Sequence, residues 1–164
     1  MDFEVFEFYT QASFVDYLNA GWGISVVGAI DYTASNLEQT RHDSLHYFRK
    51  HGHNQYETAI EQVIQTLEPY NREKVYQCFG FGGIPHHIGE KAVSHCFALN
   101  GDPSNPAIVG LENVLETYRR TLPQIEFGGP TLFGPVLEQF YEYVLSVKDN
   151  MVFSILLLVT DGAN

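Results

Sequence analysis

An aspartate and two hydroxyl residues stand at alternate positions in Asp31-Tyr32-Thr33-Ala34-Ser35. On a turn leaving a strand, that spacing can point a carboxylate and two hydroxyls at one spot. Such oxygens are hard ligands, suited to Mg2+ or Mn2+ in octahedral geometry. Alone, the motif also fits a solvated Asx-turn. Two further features add to it. Gly128-Gly129-Pro130-Thr131 sets a hydroxyl on a rigid turn just ahead of Pro135, and Asp161 closes an apolar run. If the strands ending at Asp31 and Asp161 are neighbours, five oxygen-bearing side chains (Asp31, Thr33, Ser35, Thr131 and Asp161) converge at one place.

The elements that must position these residues can be read from hydropathy. Residues 24–30 (ISVVGAI) are apolar and β-branched, the pattern of a strand buried on both faces in a parallel sheet. Residues 32–53 are polar and read as a long loop, whose histidines 42, 46, 51 and 53 are expected to be solvated rather than to hold zinc. His86 and His87 are read the same way. A helix is expected over 54–67, with Tyr56, Ala59, Ile60, Val63, Ile64 and Leu67 on one stripe, Asn54 as cap and Glu57 at the capping-box position. Pro69 stops it.

Residues 75–81 read as a second strand closed by Gly82-Gly83, and 93–99 as a short third strand pairing antiparallel. A helix is expected over 106–122, capped by Asn105 with Pro106 in its first turn and with Ile108, Leu111, Leu115 and Tyr118 inward. Another starts at Pro135, burying Val136, Leu137, Phe140, Tyr141, Val144 and Leu145. Residues 152–159 form a last buried strand. Ahead of these, 2–9 alternate as a strand would, 13–18 make a helical turn, and Gly21-Trp22-Gly23 marks a boundary, with Trp22 as a packing anchor. Strands alternating with helices define an α/β class with a mostly parallel sheet. Ligands of such sheets bind beyond the carboxyl ends of the strands, where the strand order reverses. Asp31 and Asp161 both end strands.

Composition narrows the class of function. Hydrophobic residues make up 45% of the 164 and charged residues 18%, so the chain is expected to fold. Lys and Arg number 9 against 20 Asp and Glu, a net charge of −11, which argues against nucleic acid and against an unaided grip on anionic membranes. Cys78 and Cys96 cannot build a disulfide framework and are expected to be buried, inert thiols. The sequence shows no unbroken apolar span of membrane length and no signal-peptide pattern, so a cytosolic, reduced protein is the simplest expectation.

The sequence resembles the von Willebrand factor A domain of the copine family. The matching stretches are AIDYTASN (29–36), SLHY (44–47), NQYETAI (54–60), FGFGG (79–83), LPQIEFGGPT (122–131) and ILLLVTDG (155–162). FGFG and GPT-x-F-x-P (through Pro135) have no part in a generic metal motif, yet both resemble copine segments. The resemblance implies a Rossmann-like fold with one antiparallel edge strand and a metal-ion-dependent adhesion site for one Mg2+ or Mn2+. Thr33, standing for the first serine of Asp-x-Ser-x-Ser, would ligate the ion directly with Ser35 and Thr131. Asp31 and Asp161 would act mainly through bound waters.

By the same resemblance, an open coordination position would accept a carboxylate from an intracellular protein partner, and the domain would not be an enzyme. Residues 1–22 are read as the tail of a preceding C2 domain plus linker, and 23–164 as a partial A domain. A full sheet has the order 3-2-1-4-5-6, so its last strands are expected to be missing, leaving 152–159 as an apolar edge. Copine C2 domains bind calcium and phospholipid. Membrane contact is therefore expected only through C2 domains absent from this chain, with cytoplasmic localisation and peripheral recruitment of a full-length copine. Two rival readings remain. One is a metal-dependent phosphohydrolase of the haloacid dehalogenase type, which needs a second carboxylate where Thr33 stands. The other is a structural domain with a vestigial site.

Overall fold

Gly23–Asp31 forms β1, an inner strand buried on both faces by the helices that cover the sheet and flanked at its edges by parallel strands: β2 (Val75–Phe81) on one side and β7 (Val152–Val159) on the other. A computed structural model describes residues 11–162; the strand expected over 2–9 lies outside the described residues. The register sets Ile30 beside Gly80 and Val159, so Asp31 emerges between the carboxyl ends of its two neighbours. Beyond β2 the sheet ends in two short antiparallel pieces, β4 (Phe97–Ala98) and β5 (Ala107–Val109). Among the described residues the order is β4-β2-β1-β7, with β5 also on β2. The result is a mixed α/β fold with a mostly parallel sheet, of the Rossmann-like von Willebrand factor A type.

Helices cover both faces. α2 (Gln55–Leu67) and α3 (Leu111–Thr121) pack on one, burying Tyr56, Ile60, Ile64, Val114, Leu115 and Tyr118 against Val26, Ile30 and Tyr76. α4 (Gly134–Val147) packs on the other, over Val27, Ala29, Phe79 and Phe81. α2 starts with the expected capping box. Asn54 Oδ1 accepts from the Glu57 amide at 2.8 Å, and Glu57 Oε2 accepts from the Asn54 amide at 2.8 Å. Before the sheet, α1 (Phe14–Asn19) has a capping box on Ser13 and Asp16. The rings of Phe14, Tyr17 and Trp22 close around Phe153 of β7 at centroid distances of 5.1 to 5.3 Å, making Trp22 the anchor expected of it.

Three expectations are corrected. Residues 106–110 are not helical: Ala107–Val109 takes an antiparallel place on the edge of β2, and α3 begins only after Gly110, at φ +83. Three residues that suit either structure go to the strand because an open sheet edge offers them backbone partners. Asn105 therefore caps nothing. The third strand shrinks from 93–99 to Phe97–Ala98, with Ser94 bridging instead to Gly83. In α4, Leu137, Tyr141 and Leu145 are exposed, while Val136 is buried and Phe140 and Tyr143 pack beneath. The helix carries two adjacent apolar stripes, and its sheet contact covers only one. An added ribbon, β3 (Gly83–Pro85) paired with β6 (Ile125–Phe127), carries the chain past the carboxyl ends of the sheet.

Candidate metal centre

The Asp31 carboxylate is fully buried and each of its oxygens is engaged. Oδ1 accepts from the Thr33 amide at 2.8 Å and from the Thr33 hydroxyl at 2.6 Å. Oδ2 accepts from the Thr160 hydroxyl at 2.6 Å, across from β7. A buried carboxylate needs such donors to remain charged. Ser35 Oγ lies 3.0 Å from Thr33 Oγ1. Thr33 has spent its proton on Asp31, so Ser35 is the donor in this pair. Thr33 is buried and Ser35 is exposed, so the hydroxyl pair runs from the interior to the surface.

The loop carrying Thr131 is stitched to this turn. Ala34 donates its amide to Gly128 O at 2.7 Å, and the Gly128 amide is shared between Tyr32 O at 3.2 Å and Gly82 O at 3.0 Å. Thr131 follows three residues later and is half-buried. Asp161, also half-buried, directly follows the Thr160 that touches Asp31. The charges of Asp31 and Asp161 both act on Tyr56, helping burial to hold its phenol well above the ordinary range. Asp31, Thr33 and Ser35 are thus in direct contact, and the chain brings Asp161 and the Thr131 loop to the same end of the sheet.

Glycines let these segments lie so close. Gly82 sits at φ +77, and a Cβ there would overlap Thr33 Cγ2 and stand 3.3 Å from Thr33 N. At Gly80 a Cβ would stand 2.7 Å from Tyr32 Cε2. The FGFGG stretch is the floor on which the Asp-Tyr-Thr turn rests.

The expectation that the loop histidines are solvated is corrected at His46. It is fully buried, stacked on Tyr56 (3.9 Å, 17°) and on Tyr32 (5.3 Å, 13°). Its Nε2 is 2.7 Å from Asp31 O and its Nδ1 is 2.7 Å from the Tyr118 hydroxyl. A carbonyl can only accept, so Nε2 carries the proton and Nδ1 accepts from Tyr118. Burial pushes the imidazole down to about 4, which keeps it neutral. Tyr118 in turn accepts from Asn54 Nδ2 at 3.1 Å, and Glu57 accepts from Arg119.

On the other side of the turn, the Tyr56 hydroxyl donates to Asn36 Oδ1 at 2.6 Å, and Asn36 Nδ2 donates to Thr33 O at 3.3 Å. Sequence reasoning passed over Thr160, Asn36 and His46 as participants. Extending the register of two parallel strands would have set Thr160 opposite Asp31. Of the four loop histidines, His46 alone falls in a family-like stretch.

The donor set fits a hard divalent cation: carboxylates and hydroxyls, with no sulfur. Among the described residues no three His, Cys, Asp or Glu side chains are grouped to hold a metal, so a cation here would depend on the hydroxyls.

The fold and this end of the sheet define a von Willebrand factor A-type domain. The copine family model matches residues 44–164, and the chain belongs to the copine family. It is 36% identical over 155 residues to Protein BONZAI 2 of Arabidopsis thaliana, covering 93% of this chain and 26% of that protein. It is 32% identical over 154 residues to Nicotinic receptor-associated protein 1 of Caenorhabditis briggsae, covering 93% and 24%. The chain spans about a quarter of the length of these relatives. Among the described residues no helix is long and apolar enough to cross a membrane.

Proposed function

We propose that this copine domain is a protein-interaction module whose grip depends on one Mg2+ or Mn2+ ion. The observation that carries the reading is the cluster at the end of β1: a buried, fully engaged Asp31 with the Thr33 hydroxyl on one oxygen, and an exposed Ser35 hydroxyl beside Thr33. Thr33, Ser35 and Thr131 would hold the ion, with Asp31 and Asp161 supplying negative charge around it. The bound ion supplies a Lewis-acidic position that a partner's carboxylate can fill. The exposure of Ser35 supports access from solvent. One relative is named for association with a nicotinic receptor, which supports a protein-binding role.

Thr33 stands where a phosphohydrolase of the haloacid dehalogenase type has its second carboxylate. Its hydroxyl donates to Asp31 and has no acidic proton for a leaving group, so a binding role is the better reading. The partners would be intracellular proteins, and membrane contact would come from C2 domains in a longer copine.

Mn2+ calorimetry on the wild-type chain and on Asp31→Ala tests this, with a binding isotherm expected for the first and none for the second. No Mn2+ binding by the wild type, or equal binding by the two, sinks the metal site. A pull-down from cytosol with and without chelator then tests the partner step: proteins released by chelator support it, and an identical set in both arms refutes it.

A further inference from the structure

We infer that His46 and Asn36 are positioning residues of the metal site, gripping the backbone of the Asp31–Thr33 turn from its two ends. This inference rests on the metal-dependent reading above and adds to it. His46 donates to the carbonyl of Asp31, and Asn36 donates to the carbonyl of Thr33. These are the main-chain oxygens of two of the five proposed site residues, and they lie on either side of Tyr32. Each grip is braced from behind. The His46 ring is held between Tyr32 and Tyr56, and its second nitrogen is occupied by Tyr118. Asn36 is held at its other end by the Tyr56 hydroxyl.

Tyr56 therefore touches both devices, stacking on one and donating to the other. It lies on α2, whose first turn is fastened by Asn54, and Asn54 also donates to Tyr118. The path from helix to turn is continuous and buried: Asn36, His46, Asn54, Tyr56 and Tyr118 are each nearly or fully inaccessible.

Each residue also takes the proton of a buried phenol, His46 from Tyr118 and Asn36 from Tyr56, and turns its remaining donor on the backbone of the turn. A buried imidazole is costly to desolvate, and an apolar ring would fill the same slot between two tyrosines. What an apolar ring could not do is hold Asp31 O or accept from the Tyr118 hydroxyl. Partners that orient metal ligands commonly change metal affinity about 10–100-fold when removed. Here the effect acts through the backbone. Freed at its carbonyls, the turn can rotate the Thr33 hydroxyl away from Asp31 Oδ1, and the spacing of the oxygens is lost.

The test is Mn2+ calorimetry on the full chain, with Mn2+ alone as the probe and temperatures held well below each variant's melting point. His46→Phe keeps a flat ring in the stack and removes both ring nitrogens. Asn36→Ala removes the second grip. Each is expected to weaken Mn2+ binding about 10–100-fold. His46→Gln retains an amide donor of similar reach and is expected to recover a substantial part of the loss.

Val114→Ala, a core cavity on α3, lowers stability without removing either hydrogen-bonded grip and is expected to bind as wild type does. Wild-type affinity in both His46→Phe and Asn36→Ala overturns the inference. So does an equal loss in Val114→Ala, which would reduce the effect to general loosening. Should His46→Phe not fold, Asn36→Ala and His46→Gln decide the matter alone. Failure of the wild type to bind Mn2+ would overturn the metal reading together with this one. Binding that Asp31→Ala abolishes but these variants keep would overturn only the positioning role.

Discussion

A single methyl group at position 82 should separate two effects that glycine serves at once. Gly82 adopts φ +77, and its added Cβ would overlap the Thr33 side chain. Alanine in the left-handed region costs about 1–2 kcal/mol. Overpacking a close contact adds about 1–3 kcal/mol, and the stiffer unfolded chain returns about 0.4–1 kcal/mol. Gly82→Ala is therefore expected to destabilise by about 1–5 kcal/mol. The residue cannot retreat, because its amide donates to Ser94 O at 2.8 Å and its carbonyl accepts from Gly128 at 3.0 Å.

Gly89 supplies the control. It has φ +82, and its Cβ would meet nothing within 4 Å. Gly89→Ala isolates the backbone cost, at about 0–1.6 kcal/mol after the same offset. Urea unfolding followed by tryptophan fluorescence measures both. The reasoning fails if the two variants lie within about 0.5 kcal/mol of each other, the usual tolerance for independent sites. Because Thr33 must move to make room, Gly82→Ala should also weaken Mn2+ binding while Gly89→Ala leaves it unchanged.

Other outcomes follow from the same geometry. Glu57 is buried and serves both the Asn54 amide and Arg119; Glu57→Ala should cost about 1–3 kcal/mol in thermal unfolding, because it leaves a buried donor unmade. Arg119→Ala should cost at least as much, because it leaves the Glu57 carboxylate, whose side chain is only 2% exposed, without its charged partner, whereas Glu57→Ala leaves an Arg119 that is 46% exposed and can be rehydrated. Val136→Ala should cost about 1–3 kcal/mol by opening a cavity under α4, whereas Tyr141→Ser on its outward stripe should stay within about 0.5 kcal/mol.

Burial pushes the Cys78 thiol up to about 12 and the Cys96 thiol up to about 11. Both should resist iodoacetamide in the native protein near pH 8, as read by mass spectrometry, and rapid native labelling would contradict this. Tyr32, Tyr56 and Tyr118 are also raised, by burial first. The folded chain then keeps phenol protons that the unfolded chain loses, so stability should fall as pH rises past about 10. An ultraviolet titration should show these tyrosines ionising only with unfolding.

The amino-acid order was enough for whatever is written in short range. The double-buried strand, the Asn54–Glu57 capping box and the amphipathic α2 follow from period and local hydrogen bonding, and all three stand in the structure. The alternation Asp31, Thr33, Ser35 likewise places three oxygens on one turn before any fold is known. Tertiary structure decided what depends on a partner distant in the chain. Residues 107–109 became strand because the edge of β2 was open to them. Leu137, Tyr141 and Leu145 faced outward because the sheet beneath α4 has room for one stripe only.

His46 shows the difference most plainly. In the sequence it is one of four histidines in a polar loop. In the fold it is buried between two tyrosines and bonded to Asp31 and Tyr118, 15 and 72 residues away. Hydropathy has no sign for that arrangement, because the energy that buries a neutral imidazole comes from partners that only chain folding delivers.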